Sequence, residues 1–180
     1  MIILVGPSAS GKTEICKALC YKYGFKKFVT TTTRPKRVNE IEDIDYHFIT
    51  LDQFKENIKN DNFIEYTIYN NNYYGTTKNE ISLNTVLILE PDGLKAFNKL
   101  NIPSIISFYL ECDEETRIKR MKTRLDNPES INERIKLDRS RFLNLEGYDY
   151  KINSEKLSIN EITEIIYKTY LNKITSLNNH

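Results

Sequence analysis

The chain has 180 residues, 28% of them charged, with 26 lysines and arginines against 25 aspartates and glutamates. That length points to a single domain that can bury a core without disulfide or metal staples. The near balance of charge excludes a general affinity for polyanions, nucleic acid among them, so phosphate recognition must come from local clusters.

Met1 to Val5 is a continuous apolar run, which suits a strand buried on both faces. Gly6-Pro7-Ser8-Ala9-Ser10-Gly11-Lys12-Thr13 follows at once. Glu14 to Tyr23 then reads as a helix, with Ile15, Cys16, Ala18 and Leu19 along one stripe and Gly24 at its end. Strand, glycine-bounded loop and helix with the spacing G-x-x-x-x-G-K-T is the arrangement a phosphate cradle needs. The glycines let the loop turn backbone N–H groups inward, and the helix N-terminus adds a positive dipole end. Lys12 can reach the outer phosphates of a nucleotide and the Thr13 hydroxyl can ligate magnesium. The competing reading is an ordinary strand-turn-helix that matches the pattern by chance.

Further along, Phe28 to Thr31 reads as a short second strand and Thr32 to Asp45 as an irregular polar stretch. Tyr46 to Ile49 is a strand, and Thr50 with Gln53 forms a capping box for a helix to about Ile58. Phe63 to Tyr69 is a strand, followed by turn residues Asn70-Asn71-Asn72. Thr85 to Leu89 and Ile105 to Leu110 are buried strands on either side of a helix from Gly93 to Leu100. Asp113 caps a helix to about Arg124; Asn127 and Pro128 open another to about Leu145. Tyr148 to Ile152 is the last strand. Ser158 and Glu161 box in a terminal helix to about Ile174, and Asn178 to His180 should fray. Strands alternating with helices predict an α/β fold with a parallel sheet covered on both faces. Two segments do not read as core: 30–76, polar and rich in turns, and 114–146, helical and heavily charged. They would be insertions in a core of about 1–29, 77–113 and 147–180.

Cys16, Cys20 and Cys112 are too few for a disulfide framework and lack partners for a zinc site, so they are expected to be packed, reduced thiols. The N-terminal apolar run lacks a preceding basic region and is too short for a signal peptide, and no stretch has the length of a membrane span. These features read as a soluble cytoplasmic protein with no membrane partner, either monomer or homodimer.

A second anion site is written after the second strand. Arg34 and Arg37 are three apart with Pro35 between them, and two guanidinium forks can hold a phosphate dianion. A solvated basic loop is the bland reading. Tyr46, Tyr73 and Tyr74 offer uncharged donors, and Glu65 is a carboxylate in an otherwise apolar strand, where it is expensive without a partner. Arg117, Arg120 and Arg124 share one helix face; Arg134, Asp138 and Arg141 share another. On charge pattern alone both read as salt-bridged surface helices. His47 and His180 stand in no sequence pattern that marks acid–base or nucleophilic chemistry, and none is assigned to them.

Taken in order, Gly6-Pro7-Ser8-x-x-Gly11-Lys12-Thr13, Thr32-Thr33-Arg34-Pro35-x-Arg37, Asp45-Tyr46-His47-Phe48, Phe63-Ile64-Glu65 and Asn72-Tyr73-Tyr74-Gly75-Thr76 resemble the guanylate kinases over nearly the whole chain. The resemblance implies a P-loop NTPase core, with 30–76 as the nucleoside monophosphate-binding segment and 114–146 as a helical lid. It implies phosphoryl transfer from ATP, with Mg2+, to GMP or dGMP. Gly6 to Thr13 would hold ATP, with Thr13 on the metal. Arg34, Arg37, Tyr46 and Tyr74 would grip the acceptor phosphate. Glu65 would read guanine, with Thr30 and Thr76 beside the base. Lys12, Arg34, Arg124 and Arg134 would neutralise the phosphoryl group in transfer. Arg120 would join them on the ATP side, and Asn153 would lie near adenine. The family's paired aspartates are replaced by Glu90-Pro91-Asp92, so Glu90 and Asp92 would take their places beside the acceptor. Tyr148 and Tyr150 read as core aromatics. Two alternatives remain: a related P-loop kinase of ribose bisphosphate or another nucleotide, and a non-catalytic module of this family that binds phosphopeptides.

Overall fold

The computed structural model describes residues 1–38, 40–69, 71–78 and 81–178. Its first sheet contains β1 (Ile2–Val5), β2 (Lys26–Lys27), β7 (Thr85–Leu89), β8 (Ile106–Glu111) and β9 (Tyr150–Asn153) in the order β2-β7-β1-β8-β9. Every pairing in it is parallel. The apolar run at the N-terminus explains why β1 is central. Ile2 and Leu4 enter one core with Ile15 and Leu19 of α1 (Lys12–Tyr23) and Ile162 and Ile166 of α6 (Ile159–Asn178). Ile3 and Val5 enter the opposite core with Leu94 and Phe97 of α3 (Pro91–Asn98). Successive residues of a strand point to opposite faces, so an unbroken apolar run is what a strand between two helical layers requires.

A second sheet is built from β3 (Thr31–Thr32), β4 (His47–Phe48), β5 (Phe63–Tyr69) and β6 (Asn72–Thr77), in the order β4-β3-β6-β5. Helix α2 (Leu51–Lys59) opens on the Thr50–Gln53 capping box and buries Phe54 against this sheet. The Phe54 ring lies 4.4 Å from that of Phe63 and 5.3 Å from that of Tyr73. Two further helices, α4 (Glu114–Thr123) and α5 (Pro128–Arg141), begin at the Asp113 and Asn127 caps and pack on each other through Met121, Ile131 and Ile135.

Several boundaries differ from the sequence expectation. The strand expected over Phe28–Thr31 is two strands in different sheets. The Phe28 N–H still donates to Val86, extending the first sheet, and its ring fills that core; the chain then crosses to Thr31. Asn72 opens β6 instead of closing a turn; Asn70 lies outside the described residues. Helix α3 starts at Pro91, two residues early, because a proline at the first helical position gives up an N–H that has no partner there anyway. Helix α5 stops at Arg141, before a left-handed Asn144, not at Leu145. The last strand begins at Tyr150 because Asp149 instead accepts the Ser107 N–H and hydroxyl, both at 2.7 Å. Helix α6 continues past Ile174 through Asn178, while Asn179 and His180 lie outside the described residues. All three cysteines are free, and burial pushes the Cys16 thiol up to about 12, which makes it inert. Among the described residues no helix is long and apolar enough to cross a membrane.

Gly75 is where the second sheet is most tightly closed. A Cβ there would stand 2.8 Å from two carbons of the Phe63 ring and 2.9 Å from Phe54 Cζ. Gly75→Ala is therefore expected to destabilise the protein by about 1–3 kcal/mol, read as a lowered urea midpoint. An unchanged midpoint would contradict this packing.

Candidate active site

The loop from Gly6 to Thr13 leaves the carboxyl end of β1 and runs directly into α1. Gly11 has φ 103°, a region side chains rarely adopt, and Ala9 has φ 62°. Helix α1 begins at Lys12, so Lys12 and Thr13 belong to its first turn. The Lys12 ammonium folds back on the loop, donating to the Gly6 and Pro7 carbonyls. Burial pulls its pKa below the ordinary lysine value, and the negative charges of Glu90 and Asp138 oppose that pull.

One cavity of about 670 Å³ lies over this loop. Its floor includes Ser8, Ala9, Lys12 and Thr13. The second sheet contributes Glu65, Tyr74 and Thr76, and the residues just before β3 and β4 contribute Thr30 and Tyr46. The end of β7 and start of α3 add Glu90 and Asp92, and the α4–α5 pair adds Arg124 and Arg134. Most residues singled out in the sequence thus meet in one space, although they come from four separate stretches of chain.

On the wall formed by the second sheet, Glu65 of β5 stands opposite Thr76 of β6, whose hydroxyl donates to Glu65 Oε1 at 2.5 Å. Burial holds the Glu65 pKa above the ordinary carboxylate value, and the charge of Asp92 adds to this; the Thr76 hydroxyl works the other way. Tyr46 and Tyr74 meet edge to face with ring centroids 6.2 Å apart. The Arg34 guanidinium lies 5.3 Å from the Tyr46 ring centre, does not line the cavity, and donates to Glu40 Oε1 at 2.6 Å and to the Pro35 carbonyl at 2.9 Å. The Arg37 backbone N–H donates to the other oxygen of Glu40, and the Arg37 side chain is exposed. Glu40 escaped the sequence reading. An acidic residue near an arginine pair in a charged loop carries no periodic signal.

On the helical wall, Arg134 and Arg124 both approach Asp126, at 3.3 and 3.9 Å. Arg120 does not line the cavity. Its guanidinium donates to the Ala9 carbonyl at 3.1 Å and the Ser154 carbonyl at 2.7 Å, tying the loop to the end of β9. Asn153 also stands off the cavity, where its side chain accepts the Glu155 N–H. Arg117 and Asp138, expected to form surface pairs, make a buried pair at 2.7 Å, and Asp138 faces the loop. Glu90 pairs across the cavity edge with Arg141 at 3.7 Å. Asp92, largely exposed, reaches Lys95 at 3.3 Å.

The family model for guanylate kinase matches residues 1–171. The chain belongs to the guanylate kinase family. It is 31% identical to a guanylate kinase of Mycoplasma genitalium, across 95% of this chain and 76% of that protein. It is 32% identical to one of Fusobacterium nucleatum, across 91% of this chain and 89% of that protein. A crystal structure of guanylate kinase from Anaplasma phagocytophilum superposes with a TM-score of 0.74 at 22% identity, covering 96% of this chain and 85% of that one. The α/β core with its parallel sheet and phosphate loop is therefore the P-loop NTPase fold expected from the sequence.

The environment of Glu65 makes a direct prediction. Its side-chain carboxyl, followed by carbon NMR, should titrate above the ordinary glutamate range. Thr76→Val should raise that value further and Asp92→Asn should lower it. A Glu65 that titrates like a solvated glutamate would contradict the geometry.

Proposed function

We propose that the protein transfers the γ-phosphoryl group of ATP to GMP, and to dGMP, giving the diphosphate. The observation that carries this reading is the single cavity with Lys12 on its floor and Glu65 in its wall. Guanine presents N1–H and an exocyclic amine side by side, and an ionised Glu65 is an acceptor matched to that pair. Adenine presents a bare N1 there, which would leave the half-buried carboxylate with the Thr76 hydroxyl but without the donor pair that guanine supplies. A sugar bisphosphate gives Glu65 nothing to read, and a peptide-binding module has no use for Lys12 buried in an intact phosphate loop. Residues 30–76 would serve as the acceptor segment and 114–146 as the lid over the donor. An enzyme acting on these nucleotides belongs in the cytoplasm.

The acceptor phosphate already carries the attacking oxygen as an anion, so the reaction asks for no general base. The barrier is the approach of two polyanions in line. Lys12, with the loop N–H groups, would hold the donor phosphates. Arg34, Arg37, Tyr46 and Tyr74 would hold the acceptor phosphate, with Arg34 exchanging Glu40 for phosphate oxygens. Arg124 and Arg134 would neutralise charge at the transferring group from the helical wall. Glu90 and Asp92 would stand beside the acceptor nucleoside, as the paired aspartates of the resemblance do. The Thr13 hydroxyl and the Glu90 carboxylate face the same space and are hard oxygen donors, the kind that suits Mg2+. With ATP bound, these two residues would hold Mg2+, which would supply positive charge to offset that of the phosphates. Packing of α4 and α5 over the loop would keep water from the reacting phosphate, which otherwise would be hydrolysed.

Lys12→Met is expected to lower kcat for GMP phosphorylation by about 100-fold or more with little change in thermal midpoint. Turnover near that of the unaltered protein would overturn the assignment.

A further inference from the structure

The phosphate loop is held at its tip by the helices above it. Ala9 carries φ 62°, a left-handed conformation that a Cβ disfavours, so its neighbours must enforce it. Contacts at Ser8 and at Ala9 itself do so. Before Ala9, the Ser8 N–H donates to Asp138 Oδ2 at 2.9 Å, and the Ser8 hydroxyl approaches Oδ1 at 3.4 Å. At Ala9 itself, Arg120 takes the carbonyl. The Ala9 methyl packs against the Met121, Ile131 and Ile135 cluster between α4 and α5.

Asp138 is fixed in turn. It is 7% exposed, and Arg117, 5% exposed, donates to its Oδ2 at 2.7 Å. Among the described residues the Arg117 Nε has no partner, so the guanidinium is held in place chiefly by Asp138. A buried ion pair seldom stabilises a fold more than apolar side chains of the same shape would. Stability alone is therefore a weak reason for this one. Its second carboxylate contact, to the loop, is the distinguishing feature.

We propose that Asp138 is a positioning residue for the donor phosphates: clamped by Arg117, it orients the Ser8 amide and holds the loop tip in the shape that receives ATP. This rests on the kinase reading above. Asp138 touches neither nucleotide in this account; it acts through Ser8 and Ala9. The Lys12 ammonium and the Glu90 carboxylate are the other charged groups that face it across the cavity floor.

The test compares two double variants. Arg117→Met/Asp138→Asn removes both charges but keeps an oxygen to accept the Ser8 N–H. Arg117→Met/Asp138→Leu removes the charges and the acceptor. Neither leaves a buried charge unpaired, so a purely structural role predicts the same kinetics for both. The expected result is a KM for Mg-ATP about tenfold higher in the leucine variant than in the asparagine variant, the loss of roughly one hydrogen bond. The KM for GMP should agree between the two within about twofold. Equal KM values for Mg-ATP would overturn the proposal, as would parallel changes in the KM for both substrates. Should the leucine variant not fold, Arg117→Met/Asp138→Ala is read in its place. If the unaltered protein fails to phosphorylate GMP, the functional reading falls. Calorimetric titration of the same variants with Mg-ATP then decides the positioning role, a tenfold gap supporting it and equal affinities overturning it.

Discussion

The constraint on which the structure depends is the burial of β1 on both faces. Ile2 to Val5 are fully enclosed, paired with β7 on one side and β8 on the other. Nothing polar can be tolerated until the strand clears the sheet, so the loop emerges at the carboxyl edge, where a parallel sheet leaves a crevice for ligands. The loop there carries its backbone N–H groups to the start of α1, whose dipole has the same sign. The second sheet and the α4–α5 pair contribute the remaining walls around that fixed point.

Charge in the cavity is balanced against cost. Glu65 is kept in a wall that raises its pKa, which favours the protonated acid. Because its folded pKa lies above the unfolded value, ionisation of Glu65 weakens the fold as pH rises through that folded pKa. The stability lost there is what a carboxylate in this wall costs the fold, and the Thr76 hydroxyl offsets part of it. Arg34 shows the opposite arrangement. Glu40 and the Pro35 carbonyl satisfy a guanidinium that lies beside the Tyr46 and Phe48 rings, and holding Arg34 pulls the Glu40 carboxyl below its usual range. On the proposed reading an acceptor phosphate would have to displace Glu40 from Arg34, while the Tyr46 ring stays beside the guanidinium.

How much of this was legible in the sequence depended on the kind of signal. The β1–loop–α1 unit, β5, β7 and the helix caps at Thr50, Asp113 and Asn127 were readable because each rests on local chemistry: an apolar run, a glycine spacing, a capping side chain. The break between β2 and β3 was not, because a crossing from one sheet to another depends on partners distant in sequence. Helix periodicity correctly grouped Arg134, Asp138 and Arg141 on one face, yet could not tell a solvated face from one packed on a loop. That is why the buried Arg117–Asp138 pair read as surface decoration. Arg120 was readable as a basic residue of the right helix, but its engagement with the Ala9 and Ser154 carbonyls is a tertiary fact. The left-handed Ala9 had no signature at all, since alanine gives no hint of positive φ.

The central claim is that a carboxylate on the second sheet reads guanine above a phosphate loop. The most direct measurement is the rate of phosphoryl transfer from Mg-ATP to a panel of acceptors: GMP, dGMP, IMP, AMP, UMP and ribose 1,5-bisphosphate. The account predicts that kcat/KM for GMP and dGMP exceeds that for AMP by at least about a hundredfold, with IMP, which keeps N1–H but lacks the amine, in between. A flat profile, or a preference for AMP or for the sugar bisphosphate, would contradict it.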